Sequence, residues 1–415
     1  MMSKEGRRRE LFIYIGTRKI VALDGIVGNG APHVLRWKTI RFPEGFQNGF
    51  VTNLERASAT IRKIFEDVRT DEEWDGSSCY VILGNSKLKS YHFSSSQYYP
   101  NEERNISSSE IHSVIEQTRS VATLPLSEVI LQVVPESFLI NDMDGVRNPM
   151  GLEARRLGVH LKIFTMNFEE FRNITKAFEA SDVEVKGFFP RMISVSEAVL
   201  EEQEKDEGVV IVDVADDNTQ LILWKNGYLA DSKIIGCGAR YLTEKIAGLW
   251  NIEFFDAERV KEQYGSLNPK QAFGEELIPL VERNGKGVHQ IPRGEFLEKF
   301  NQVAREWLSS IIDETGVFLR KHNFRYPHYV FTGGGTALDG FLEFLQNEFA
   351  CEANLGTVHR IEAPHEILVD PSMCPVLGGL KWLDRYEREY RRLLVPSNIF
   401  QKTIATARDW FMTYF

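Results

Sequence analysis

The chain has 415 residues, 43% of them hydrophobic and 26% charged, a globular balance with room for about two to four units and a core that needs no disulfide or metal staple. Its formal net charge of −10 argues against nucleic acid as a partner. Cys79, Cys237, Cys351 and Cys374 stand far apart with no CxxC pair, which argues against a structural zinc site or a disulfide framework and fits a reducing cytoplasm. The basic N-terminus is followed by no apolar region of signal-peptide length, and no run approaches ~18 apolar residues, so any membrane contact is expected to be peripheral.

Residues 11–15 are a short apolar run ending in Gly16 and Thr17, a buried strand entering a turn, and 19–23 read as its hairpin partner. Leu54, Ile61, Ile64 and Phe65 repeat with helical spacing behind Asn53, a suitable N-cap. A buried strand follows at 79–83. Ser107 to Glu110 open a helix with Ile111, Val114 and Ile115 as its apolar stripe. Strands are predicted at 129–134 and 159–164, a helix at 168–180, a strand at 183–188 and a helix at 195–200. The acidic stretch 201–207 marks a boundary. A new strand at 209–212 runs into Asp213, and after a turn holding Thr219 come 221–224, the Asn226-Gly227 turn and a third strand. The pattern of the start thus recurs after ~200 residues, which predicts two similar lobes with their first turns facing across a cleft. A strand at 329–331 runs into Thr332, Gly333, Gly334 and Gly335, with a helix from about Asp339. Residues 385–394 read as a charged helix and 397–415 as an amphipathic one.

Gly16 and Thr17 could present backbone N–H groups to a phosphate, although alone such a pair is an ordinary hairpin turn. Gly333 to Gly335, between strand and helix, let a backbone approach a ligand closely, with the helix N-terminus adding partial positive charge; alone, a structural loop explains them as well. Glu258 and Lys261 lie one helical turn apart, the spacing of a solvated ion pair. The order of these pieces, together with Asp213 and Thr219 around the middle turn, resembles the actin/Hsp70 superfamily.

Three segments resemble the bacterial cell-division family FtsA in particular: GFQNGFVTN at 45–53; the stretch 133–165, with Pro135, Asp144-Gly145, Asn148-Pro149-Met150-Gly151, Arg156-Leu157 and His160; and GVHQIPRGEFLEKF at 287–300. The resemblance covers about residues 10–386. It implies an α/β, actin-like (ribonuclease H-like) two-lobed ATPase fold with an FtsA-type inserted subdomain. The expected parts are a first lobe core at 10–83 and 164–205, the insertion at 84–163, a second lobe core at 206–238 and 325–386, a small subdomain at 239–324, a linker at 387–396 and an amphipathic membrane helix at 397–415. It implies a nucleotide site of Gly16, Thr17, Arg18, Asp213, Asn218, Thr219 and Gly238, with Glu258 and Lys261 near ribose or base and Gly333, Gly334 and Gly335 at the adenine. Asp213 is the candidate catalytic and metal residue for ATP and magnesium.

The chain departs from the family where phosphate chemistry belongs. Tyr14 replaces the acidic residue of Asp-x-Gly-Thr, and the second turn carries Asp216 and Asp217 where the family has glycines; Gly238-Ala239 replaces a Gly-Gly pair and Lys245 a later acidic residue. The expectation is at most weak ATP binding and negligible turnover. The resemblance implies an FtsA-like tether holding filaments of the tubulin homologue FtsZ to the cytoplasmic face of the cell membrane at the division site, self-associating and recruiting later division proteins. Arg293 and Lys299 are expected to meet the FtsZ tail. Phe400, Ile404, Trp410, Phe411 and Phe415, on or beside one helical face, are expected to meet lipid. The rival readings are a pilus or secretion-platform protein of similar fold, and a true ATPase or sugar kinase.

Overall fold

The computed structural model describes residues 7–28, 30–69, 78–84, 87–100, 103–268, 276–283, 287–324 and 328–393, with 387–393 as backbone only. Of the linker expected at 387–396, residues 387–393 continue the last helix as backbone, and 394–396 with the terminal helix expected at 397–415 lie outside the described residues. The chain divides into two compact units, one drawn from Met1–Ala198, Val358–Pro364 and Pro375–Phe415, the other from Val199–Thr357 and His365–Cys374.

In the first unit, strands β1 (Arg8–Ile15), β2 (Lys19–Val27) and β3 (His33–Arg41) form an antiparallel meander. Helix α1 (Leu54–Val68) leads to β4 (Ser78–Leu83), which pairs parallel with β1. Leu11, Phe12, Ile13 and Ile15 are all buried, which is why an unalternating apolar run forms a central strand covered on both faces. Asn53 caps α1 by accepting from the Arg56 amide. The Gly45–Asn53 motif has a structural cause. Gly45 lies at φ +79°, its carbonyl accepts from the Thr52 and Asn53 amides, and a Cβ there would overlap the Ala57 backbone.

A second sheet follows, built from β5 (Lys89–Tyr98), α2 (Ser108–Val121), β6 (Glu128–Ile140), β7 (Met143–Val146) and β8 (Arg156–Asn167), in strand order β7-β6-β8-β5. Alternate β8 residues Leu157, Val159, Leu161 and Ile163 meet Ile111, Val114 and Ile115 of α2 in one apolar cluster. Ser107 and Glu110 form the capping box of α2. Glu128 ties three strands, accepting from Lys89 Nζ and Tyr91 Oη at 2.6 and 3.1 Å and from the Thr165 hydroxyl. Burial raises its pKa, but the bonds from Lys89, Thr165 and Tyr91 outweigh it and hold the carboxyl below its ordinary value. A carboxyl depressed in the fold contributes stability above its unfolded pKa, near ~4.3, and loses it as pH falls through the folded value. Glu128→Gln should therefore flatten the acid limb of a thermal-unfolding series below about pH 4.3; an unchanged limb would show that Glu128 contributes nothing to it.

The unit closes with α3 (Phe168–Glu179), β9 (Glu184–Pro190), which pairs parallel with β4, and α4 (Arg191–Val199). In the second unit the acidic stretch 201–207 forms helix α5 (Glu202–Glu207), with Lys205 buried. Then come β10 (Val209–Val214), β11 (Thr219–Lys225) and β12 (Tyr228–Ile235), with Asn226 and Gly227 both at positive φ in the turn. Helices α6 (Arg240–Leu249) and α7 (Phe254–Tyr264), the ribbon β13 (Leu277–Val281) and β14 (Val288–Pro292), and the long α8 (Arg293–Lys321) form a layer that packs into the same core. Strand β15 (His328–Thr332), helix α9 (Phe341–Phe349) and β16 (Ala353–Leu355) complete the unit. The sheet orders are β9-β4-β1-β2-β3 and β16-β15-β10-β11-β12. Each is a three-strand antiparallel meander extended beyond its first strand by two further strands in parallel, so the faint sequence repeat corresponds to one topology used twice.

The last helix, α10 (Cys374–Leu393), returns to the first unit. Gly378 abuts the Ser194 carbonyl, Gly379 abuts Ile82, and Leu380 lies against Gly25. Asp384 accepts from the Gly28 amide at 2.9 Å, and Arg385 pairs with buried Glu197 at 3.0 Å. Among the described residues no helix is long and apolar enough to cross a membrane.

Candidate nucleotide and partner sites

The first turn lies between β1 and β2, closed by the Gly16 amide on the Lys19 carbonyl at 2.9 Å. Tyr14, 5% exposed, fills the space beside it. A Cβ at Gly16 would lie 3.0 Å from Tyr14 Cε1, and one at Gly84 2.9 Å from its Cε2 and Oη, so the ring is held between two glycines. Arg18 stacks on the Phe42 ring at 4.8 Å.

In the second unit Asp213 ends β10, buried and in register with Thr332 of β15. Gly333 has φ +89°, and a Cβ there would lie 2.5 Å from Asp213 Oδ1; one at Gly335 would lie 2.5 Å from Val214 Cγ1. These two glycines are required for packing on β10. Gly334, whose nearest neighbour would be Ser372 Cβ at 3.5 Å, is the one with room. The helix expected from about Asp339 is α9, which starts at Phe341; a 3-10 turn, Gly334–Ala337, comes between, so the α-helix N-terminus does not lie directly at the glycines.

The turn between β10 and β11 is satisfied from within. Asp216 Oδ2 accepts from Arg240 Nε and Nη2 at 3.0 and 2.8 Å. The Ala215 and Asp216 carbonyls accept from the Ala239 and Arg240 amides at the start of α6, at 2.9 and 2.7 Å. Gly238 admits this approach, because a Cβ would overlap the Asp216 carbonyl. Asn218 Nδ2 donates to Asp217 Oδ1 at 2.7 Å, and the buried Thr219 hydroxyl donates to the Cys237 carbonyl at 2.7 Å. Asp216, which stands where the family has a glycine, is therefore not an isolated charge: Arg240, 24 residues away, compensates it.

Glu258 and Lys261 are also corrected from the solvated pair their spacing suggested. Both are 7% exposed. Lys261 Nζ reaches Glu258 Oε2 at 2.8 Å and the Thr243 hydroxyl at 2.9 Å, while that hydroxyl donates to Glu258. The triad stitches α6 to α7 with each charge compensated.

Arg293 opens α8. Its Nη1 donates to Glu276 at 3.0 Å and its amide to the Glu276 carbonyl at 2.8 Å. Lys299 pairs with Glu295 at 3.1 Å along the same helix. Sequence reading missed the ribbon beside them. Ile278, Leu280 and Ile291 point into the core, so Leu277, Pro279, Val281, Val288 and Pro292 face outward, with Leu277 50% and Val288 64% exposed. The short apolar run 277–281, bounded by charged residues on both sides, was the signal that could have found it.

The FtsA family model, "Cell division protein FtsA", matches residues 210–378, and a second, "SHS2 domain inserted in FTSA", matches 86–165. FtsA of Buchnera aphidicola (subsp. Schizaphis graminum) is 23% identical with full coverage of both chains, and that of Escherichia coli K12 is 22% identical over 92% of each. The chain is a divergent member of the FtsA family. Its insertion, the β5–β8 sheet with α2, is the SHS2 domain. The fold is actin-like. A chain of the PilM-PilN type IV pilus biogenesis complex superposes with TM-score 0.63 at 15% identity, covering 90% of this chain and 98% of that one. MreB5 of Spiroplasma citri bound to AMPPNP gives 0.52 at 14%, covering 92% and 98%. These likenesses speak to the fold alone, whereas both family models are FtsA's, so the pilus-platform and sugar-kinase readings are not favoured. Phe400, Ile404, Trp410, Phe411 and Phe415 lie outside the described residues.

Proposed function

We propose that this FtsA-family protein is a membrane tether for FtsZ filaments, with a nucleotide site reduced at its phosphate end. The observation that carries the scaffold reading is the pair of turns. Tyr14 occupies the first, and in the second the α6 donors and Asp216 are already bonded within the chain. Neither turn, taken by itself, fits a phosphate with its magnesium. The nucleoside end is assigned to Gly334, the loop glycine with room, and to the α6–α7 layer that holds the Glu258–Lys261 pair. Affinity for ATP is expected to be weak and turnover negligible.

The partner surface is the outward face of the β13–β14 ribbon, flanked by Arg293. An FtsZ tail, apolar and acidic, would lay its apolar side chains on Leu277, Val281 and Val288 and a carboxylate on Arg293. Arg293→Glu should weaken binding of an FtsZ tail peptide about tenfold or more, the scale of a charge-assisted contact, read by fluorescence anisotropy. Unchanged affinity removes Arg293 from the site, and unchanged affinity in Val288→Glu as well removes the ribbon.

Lipid contact falls to 397–415. Phe400, Ile404, Ala407, Phe411 and Phe415 recur at intervals of 4, 3, 4 and 4, which in a helix would place them on one face, and each large side chain that leaves water would contribute roughly 1.5–3 kcal/mol before the cost of ordering the segment. A single copy binds reversibly and an array binds firmly. Phe411→Glu should release the protein from vesicles in a sedimentation assay with its thermal unfolding unchanged; equal sedimentation would remove this face from the membrane.

A further inference from the structure

The apolar core of the SHS2 domain contains one side chain from elsewhere. Among the described residues of that cluster, every member lies between Phe93 and Ile163 except Tyr386, which packs against it from α10. Tyr386 is held on its own helix by Trp382, their ring centroids 5.8 Å apart. Its neighbours in sequence are fixed to the rest of the first unit, Arg385 on Glu197 and Asp384 on the Gly28 amide. One turn or two earlier, Gly378 and Gly379 press α10 onto α4 and β4 with no space for a Cβ. A single rigid helix therefore touches the central sheet at one end and completes the SHS2 core further along. From Tyr386 to Leu393 it continues for about 10 Å, directly toward the segment assigned to lipid.

We propose that α10 is a coupling strut and Tyr386 the positioning residue that transmits the state of the C-terminal segment to the SHS2 domain. The inference rests on the lipid-binding reading of 397–415. When that segment settles on a membrane, the direction of the end of α10 becomes fixed. Tyr386 lies between this end and the glycine seat, so any tilt of the helix is delivered at the SHS2 core before it reaches the central sheet. The SHS2 domain is then held in one orientation on the membrane and samples more in solution.

The test is amide hydrogen exchange on the full chain, with and without vesicles of phosphatidylethanolamine and phosphatidylglycerol, and with sedimentation measured in parallel. In the wild type, vesicles should slow exchange in α2 and β8 on the order of tenfold while the β10–β12 meander is unchanged. Tyr386→Ala should sediment as the wild type does and lose the vesicle-dependent change; Tyr386→Phe, which keeps the ring, should retain it. Wild-type protein that sediments without any change in α2 and β8, or Tyr386→Ala that keeps the full change, overturns the coupling alone. Wild-type protein that fails to sediment overturns the lipid reading and the coupling with it.

Discussion

Gly378→Ala is expected to be the most damaging single methyl group that can be added to this chain. Alanine in a helix interior is ordinarily better than glycine by about 1 kcal/mol, so local propensity predicts stabilisation. The packing predicts the reverse. A Cβ at 378 would overlap the Ser194 carbonyl, which is backbone of α4 and has no rotamer to escape into. Helix α10 would have to lift, and with it Val376, Leu377, Leu380, Trp382 and Leu383, all buried. Overpacking of this kind costs about 1–3 kcal/mol, and lifting a helix adds part of the burial of each side chain it carries. A net loss of at least about 3 kcal/mol in urea unfolding follows. Gly379→Ala is the control. Its Cβ would meet Ile82 Cδ1 at 2.5 Å, the far end of a flexible side chain that can turn aside, so its loss should be clearly smaller. A Gly378→Ala protein as stable as the wild type would mean that α10 is not seated as described.

The two glycines show which features could be read from the sequence. The central strands were legible because unbroken apolar runs have few other uses, and α1 and α2 because Asn53 and Ser107 announce their starts within four residues. Local chemistry carries such signals. The burial of Glu258 and Lys261 was not legible, since it depends on Thr243 and on a ribbon and a long helix that close over α6 and α7. The pairing of Asp216 was hidden for the same reason: its partner Arg240 lies beyond two intervening strands. Gly378 and Gly379 look like helix-weakening residues until α4 and β4 are placed against them. The family segments 45–53 and 133–165 were legible as patterns, and the structure supplies their causes: positive-φ turns at Gly45, Gly145 and Gly151, and the sheet that β8 centres.

Lys261→Met is expected to destabilise the second unit by about 3–5 kcal/mol, because it leaves the Glu258 carboxylate buried beside Thr243 with its cation gone. The size of this loss measures the uncompensated charge, not the worth of the pair. The double variant Glu258→Leu/Lys261→Met removes both charges from a site of similar volume and should recover most of the loss, to within about 1–2 kcal/mol of the wild type in urea unfolding. That recovered fold separates stability from ligand binding. If the triad is only a stitch between α6 and α7, calorimetric titration with ATP gives the same heat for the double variant as for the wild type. If it also seats a nucleoside, the wild type binds ATP weakly, with Kd above about 100 µM, and the folded double variant binds none. Both outcomes keep the phosphate end inert, so adding magnesium should change the wild-type affinity little. The contrary result is specific: micromolar, magnesium-dependent ATP binding, with turnover that Asp213→Ala abolishes, would show that Tyr14 and the Asp216–Arg240 pair do not close the phosphate end. The protein would then be a working ATPase and its assembly open to control by nucleotide.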